Sequence, residues 1–220
     1  MNAIREVINR LLSLHPLRLL LLFLLLDVIA LGLHELWVQG VLESRVFRIS
    51  RDRGVGETIH YAKFIFVVIM LVKWRALRPA QVFTAWVLLF IVILVDDSIG
   101  IHEVVGRWVE AVWPFPEIEG VRTKDLAEIV SLALFEGSVL LYVAWQTIKA
   151  PPDIRRFSIL LFLALCSLIV GSIVLDIFAH NIVEDLGEMA AASFFLVFMH
   201  YQYRRHVEPA MQASQRSLQN

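Results

Sequence analysis

Two short stretches carry side chains whose types and spacing could do chemistry. The first is Asp96-Asp97-Ser98-Ile99-Gly100-Ile101-His102-Glu103, and the second is Asp176-Ile-Phe-Ala-His180-Asn-Ile-Val-Glu184-Asp185-Leu-Gly-Glu188. Each follows a long apolar run. Ionisable groups in such surroundings cost several kcal/mol each unless they are paired, hydrated or metal-bound. On one continuous helix Asp96 and Glu103 share a line, and Ser98 and His102 make a second. In the second stretch Asp176, His180, Glu184 and Glu188 would form an i, i+4 stripe on a continuous helix. A break at Asn181 suits membrane-span lengths better, because asparagine tolerates the left-handed conformation that ends a helix. Asp176 and His180 then close one helix, while Glu184, Asp185 and Glu188 open the next, where its dipole favours acids.

Further candidates accompany these. Asp27 lies two turns deeper than His34 on the same predicted helix face; Lys63, His60, Glu128 and Glu136 belong to other apolar segments. A buried carboxylate must be neutral or paired, so pairing of Asp27 with Lys63 is the plain alternative to a relay role. Most of these groups fall in the same half of their segments. Several carboxylates sharing a dry pocket need cations, and a divalent metal is the natural compensation. Carboxylates mixed with imidazoles suit zinc, iron or manganese, and the lack of Cys or Met there speaks against Cu(I). Helical bundles hold metal pairs with inward carboxylates and histidines, although the Glu-x-x-His spacing of that class is absent here. The expected metal ligands are Asp96, Asp97, His102, Asp176, His180, Asp185 and Glu188. Glu103 and Glu184 are the expected general bases. Asp27, His34, Ser98 and Glu136 are expected as a relay or as supports behind the ligands. His200 is expected at an interface, and His15 and His206 outside the bundle.

The elements that must position these groups are helices in a membrane. The chain has 220 residues, 58% of them hydrophobic, with a mean hydropathy of +0.69. That exceeds the ~45–50% of a soluble domain. Six spans are predicted, over Leu19–Val38, Ile59–Trp74, Val82–Glu103, Leu126–Trp145, Phe157–His180 and Glu184–Tyr203. The expected fold is therefore all-α, a polytopic six-helix bundle forming one domain over 1–205, with a short polar tail at 206–220. Arg5, Arg10 and Arg18 before Leu19–Leu26 resemble a signal peptide, but the segment is read as a retained first span. Val104–Trp113, with Val105, Trp108, Val109 and Val112 at helical spacing, is expected to continue the third span as an interfacial helix ended by Pro114 and Pro116.

Basic residues in the amino terminus, Lys73–Arg78, Lys149–Arg156 and Arg204-Arg205 put both termini on the cytoplasmic side. Trp37, Trp108 and Trp113 then fall at outer ends and Trp74, Trp86 and Trp145 at inner ends, as an aromatic belt requires. This places the acidic clusters on the outer face of a bacterial inner membrane, with membrane lipid as the surrounding partner. The formal net charge of -1 offers no case for nucleic-acid binding. The single cysteine, Cys166, can form no intrachain disulfide and reads as a small core residue. Composition defines neither a protein partner nor an oligomeric state.

The Asp-Asp-x4-His-Glu run, with the later Glu184-Asp185-Leu-Gly-Glu188, resembles a group of uncharacterised bacterial multi-pass membrane proteins. That group brings no activity with it. Ser98, His102, Asp176 and His180 are also similar in type to the intramembrane Ser, Asp and His of the zinc hydrolases that include alkaline ceramidases and the adiponectin-receptor relatives. The chain departs from them in lacking a His-x3-His pair, in having six predicted spans rather than seven, and in an outward-facing cluster. Lipid-amide hydrolysis is not carried over. The leading expectation is a metal-dependent hydrolase or oxidase acting on a lipid-soluble or periplasmic substrate. The alternatives are a proton- or cation-coupled transporter using Asp27, His34 and Glu136, and a non-catalytic membrane subunit binding a partner or Ca²⁺.

Overall fold

The long apolar runs fold as helices. The computed structural model describes residues 2–49, 53–116, 123–178 and 182–207, with side chains for all of these except 2, 125, 170–178 and 182–185. In chain order the helices are α1 Asn2–Ser13, α2 Pro16–Val38, α3 Val55–Leu77, α4 Gln81–Ile99, α5 Ile101–Val112, α6 Thr123–Lys149, α7 Pro152–Phe178 and α8 Ile182–His206, with a 3-10 turn at Arg45–Phe47. No strand occurs among the described residues, so the chain is all-α. Proline marks the first position of α2 and of α7, where its missing N–H costs nothing and its fixed φ suits a helix start. His15 caps α2, its Nδ1 accepting from the Leu17 N–H at 3.3 Å.

Four helical segments among the described residues are long and apolar enough to cross a membrane: Pro16–Val38, Val55–Leu77, Gln81–Ile99 and Leu126–Lys149. Six were expected. The other two expected spans fall in α7 and α8, part of each of which lies outside the described side chains. α7 opens on Asp153, Arg155 and Arg156 and is then free of charged residues from Phe157 to Leu175, whereas α8 carries Glu188, His200, Gln202, Arg204 and Arg205. His200 is fully buried and Gln202 is buried too. A helix enclosed by its neighbours can carry polar groups, provided that they find partners.

The chain divides into two compact units, Met1–Pro79 with Arg156–Asn220, and Ala80–Arg155. In the first, α2 and α3 both pack on α8, which buries Met189, Ala192, Phe195, Leu196 and Met199. Trp74 of α3 meets Phe157 of α7 at 4.2 Å between ring centroids and stacks on His206 of α8 at 5.6 Å. His206 therefore packs on the bundle rather than lying outside it. His200 is likewise not interfacial: its Nε2 donates to the Leu12 carbonyl at 3.1 Å. Arg204 donates to the Leu14 carbonyl at 3.0 Å. These two bonds satisfy carbonyls at the end of α1, which have no intrahelical partner. In the second unit α4 and α5 both pack on α6.

The third predicted span ends four residues early. Gly100 adopts φ 71°, ψ 43° and is at once the C-cap of α4 and the N-cap of α5. Glycine reaches that left-handed conformation without the Cβ penalty other residues meet. The helix restarts at Ile101 in a new direction. Asp96 and Glu103 therefore do not share a line, nor do Ser98 and His102.

Candidate metal centre

The break at Gly100 does for Asp96 and His102 what a continuous helix could not. Asp96 lies in the last turn of α4 and is buried at 3% exposure. Its Oδ1 accepts the His102 backbone N–H at 2.8 Å, and its Oδ2 lies 2.7 Å from His102 Nδ1. One carboxylate thus caps the first turn of α5, filling an N–H that has no intrahelical partner, and also holds the imidazole. A carboxylate only accepts, so Nδ1 carries the hydrogen and Nε2 presents its lone pair. This is the orientation that metal-ligating or proton-transferring histidines adopt, with a carboxylate behind the ring.

Asp97 completes the group. Asp96, Asp97 and His102 each offer a ligand atom within 4.8 Å of the other two; Asp96 is buried, His102 half-buried and Asp97 exposed. Glu136 of α6 is half-buried and within coulombic reach of all three. Ser98 is turned to its own helix, its hydroxyl donating to the Val95 carbonyl at 3.1 Å. Glu103 receives Arg107 Nη1 at 3.4 Å, one turn along α5. α5 is held against α6 by close backbone approach: a Cβ on Gly106 would lie 2.8 Å from Glu128 Cγ and 3.2 Å from Glu128 Cα. Thr123 closes the other end, its hydroxyl donating to Glu110 Oε1 at 2.6 Å.

The remaining expected site residues distribute otherwise. The side chains of Asp176, His180, Glu184 and Asp185 lie outside the described residues. α7 is described to Phe178 and α8 from Ile182, so the expected break at Asn181 and the alternative stripe across Asp176–Glu188 both lie outside the described residues. Glu188 is half-buried in the first unit. Asp27 takes the plain alternative and pairs with Lys63. Lys63 is 1% exposed; its Nζ donates to Asp27 Oδ1 and to the Met189 carbonyl, both at 2.7 Å. Ser193 donates its hydroxyl hydrogen to Asp27 Oδ2 at 2.8 Å, with the Met189 carbonyl at 3.1 Å alongside. This clasp joins α2, α3 and α8 through buried, mutually satisfied charges. Ser193 and the Met189 carbonyl were not read from sequence. The available signal was a hydroxyl at an otherwise apolar stretch of α8, which periodicity alone does not connect to a partner on α2.

His34 is buried and pins the loop after α2: its Nδ1 accepts the Ile49 N–H at 3.2 Å, and its ring stacks on Trp37 at 5.8 Å. Ile49 in turn packs with Ala30 and Met189. Asp27 is held by Lys63 and Ser193, and His34 by the Ile49 N–H. Each is accounted for by local structure.

The fold and its site define an all-helical protein with an oriented carboxylate–imidazole group at a break between two helices. The chain belongs to the family described as Domain of unknown function (DUF8692), which matches residues 59–202. The matched region contains Lys63, Asp96, Asp97, His102 and Glu136, and begins beyond Asp27 and His34. No curated protein and no solved structure matches the chain.

Proposed function

We propose that this chain is an integral protein of a bacterial cytoplasmic membrane that holds a divalent metal ion, zinc, iron or manganese, at its outer face. The observation that carries the reading is the Asp96–His102 pair at 2.7 Å, with Asp97 within ligand distance. His102 Nε2 and the Asp97 carboxylate would be ligands, with the Glu136 carboxylate within coulombic reach of both. Asp96 is then the positioning residue, since both of its oxygens are engaged by His102. A site with two or three protein ligands keeps open positions for water and substrate, as catalytic sites do. When bound, such a metal lowers the pKa of a coordinated water to near 7. Glu103, beside His102 in sequence, is the candidate base. The reaction class this supports is metal-dependent hydrolysis, or oxidation, of a lipid-soluble or periplasmic substrate.

The membrane reading rests on the four apolar helical segments together with the lengths of α7 and α8. At 27 and 25 residues and ~1.5 Å per residue, both exceed the ~30 Å hydrocarbon core. With six spans, the basic ends at Arg75–Arg78, Lys149–Arg156 and Arg204–Arg205 lie on the cytoplasmic side together with both termini.

The test is metal analysis and metal titration of the purified protein in detergent, with the Asp97→Ala and His102→Ala variants beside it. The expected result is a bound divalent ion that both variants lose. A protein that takes up no zinc, iron or manganese, or whose uptake survives His102→Ala, overturns the proposal.

A further inference from the structure

α5 presents three different faces. Gly106 and Val109 are buried on the side toward α6. Glu103, Arg107 and Glu110 form a polar side. The third side is apolar and open: Val104, Trp108 and Val112, at i, i+4 and i+8, are 58%, 65% and 59% exposed, and Trp113 is 64% exposed. By helical geometry of ~100° per residue, the centres of the open apolar side and the polar side are about 130° apart, and the α6 contact lies in the wider arc on the other side of the helix. We infer that the Val104–Trp108–Val112 face of α5 lies in the lipid of the outer membrane interface, its apolar side on the acyl chains and its Glu103–Arg107–Glu110 side in water. The inference rests on the membrane reading above.

Three features commit the face to lipid rather than to a protein. α5 leaves directly from the end of α4 through one residue, Gly100, and is tied to the start of α6 by Thr123–Glu110; it is therefore held at the level where two apolar helices end. The helices on either side of α5 also expose apolar side chains near these ends, Ile99 of α4 (60%) and Ile129 of α6 (55%). Its largest members are tryptophans, the residues that settle at headgroup depth. An amphipathic helix with a charged face and such an apolar face lies in the interface plane. Because His102 occupies the first turn of the same helix, this placement sets the metal site at headgroup depth, within reach of an amphiphile's polar end.

The experiment is spin labelling of the full chain in phosphatidylethanolamine–phosphatidylglycerol vesicles, in a Cys166→Ser background. Single labels go at Val104→Cys, Trp108→Cys and Val112→Cys, at Arg107→Cys on the polar side, and at Leu88→Cys on an exposed face of α4. Collision with oxygen and with a water-soluble nickel complex is measured at each. The expected result is Leu88 deep in lipid, the three α5 sites shallow but severalfold richer in oxygen relative to nickel than Arg107, and Arg107 in water. If Leu88 is as open to nickel as Arg107, the membrane reading fails and takes this inference with it. If Leu88 is in lipid but the three α5 labels match Arg107, the inference alone is overturned. Labels at 104, 108 and 112 that are immobile and closed to both reagents would mean that a protein or a second copy covers the face, which also overturns it.

Discussion

Asp96 and Asp97 are neighbours in sequence with different work. Asp96 is buried with both oxygens committed to His102, whereas Asp97 is exposed. Replacing Asp96 by Ala is expected to weaken metal binding about 10–100-fold through loss of ring orientation, and to destabilise the start of α5 by about 1 kcal/mol through loss of the cap. Asp97→Ala is expected to weaken metal binding without that loss of stability. Metal titration and thermal unfolding in detergent, run on both variants, separate the two roles. The buried pair makes a second prediction. Lys63→Met leaves the Asp27 charge uncompensated and is expected to cost about 3–5 kcal/mol, while Asp27→Leu combined with Lys63→Met recovers most of it. Unfolding of the single and double variants in detergent measures the difference. At this scale the sequence was informative about residue type and poor about partners. It offered Lys63 as a partner for Asp27, but it grouped Asp96 with Glu103 and Ser98 with His102, because a straight helix was assumed across Gly100.

Helix boundaries explain that error. Composition makes residues 81–103 one apolar segment, and a lone glycine inside a helical pattern is usually tolerated. Only the left-handed φ of 71° at Gly100 shows that α4 stops and α5 starts. Gly100→Ala is expected to cost about 1–2 kcal/mol and, more tellingly, to reduce metal affinity by disturbing the approach of His102 to Asp96. An Ala variant with unchanged affinity would show that the site does not depend on the turn. Gly106 constrains the other side of α5. Gly106→Val puts side-chain atoms into Glu128, whose backbone is already close, and is expected to destabilise by about 1–3 kcal/mol, measured by thermal unfolding. That residues 104–112 form a helix was legible, since Val105, Trp108, Val109 and Val112 have helical spacing. α1 was missed, although Ile4, Val7, Ile8 and Leu11 repeat at i, i+3, i+4 and i+7. Its basic residues drew the reading toward a leader segment, and its anchoring through Leu12 and Leu14 is tertiary.

For the whole molecule, the all-helical class was legible because long apolar runs leave few other folds. The number of spans was less so. α8 holds His200 and Arg204, which its neighbours bind through backbone carbonyls, and hydropathy counts such groups as if they faced lipid. The proposed inside placement of the carboxyl terminus can be checked directly: a cytoplasm-active fluorescent protein fused after Asn220 is expected to be fluorescent, and a periplasm-active phosphatase at the same place inactive. The reverse result would invert the topology and put the Asp97–His102 group on the cytoplasmic side.

The clasp between α2, α3 and α8 also bears on the order of synthesis. Asp27 and Lys63 are 36 residues apart, but Lys63 also needs the Met189 carbonyl, 126 residues further on. At ~5–20 residues per second, α3 leaves the ribosome about ten seconds before that acceptor exists. In that interval the ammonium is half satisfied within a segment that must enter the membrane, and insertase or chaperone contact is the available remedy. A chain cut after Ala150 never receives α8. It is expected to be degraded faster than the full chain in pulse–chase labelling, and the Asp27→Leu/Lys63→Met pair is expected to lengthen its life. The buried lysine would then serve as a timer, marking chains whose last helix has not arrived.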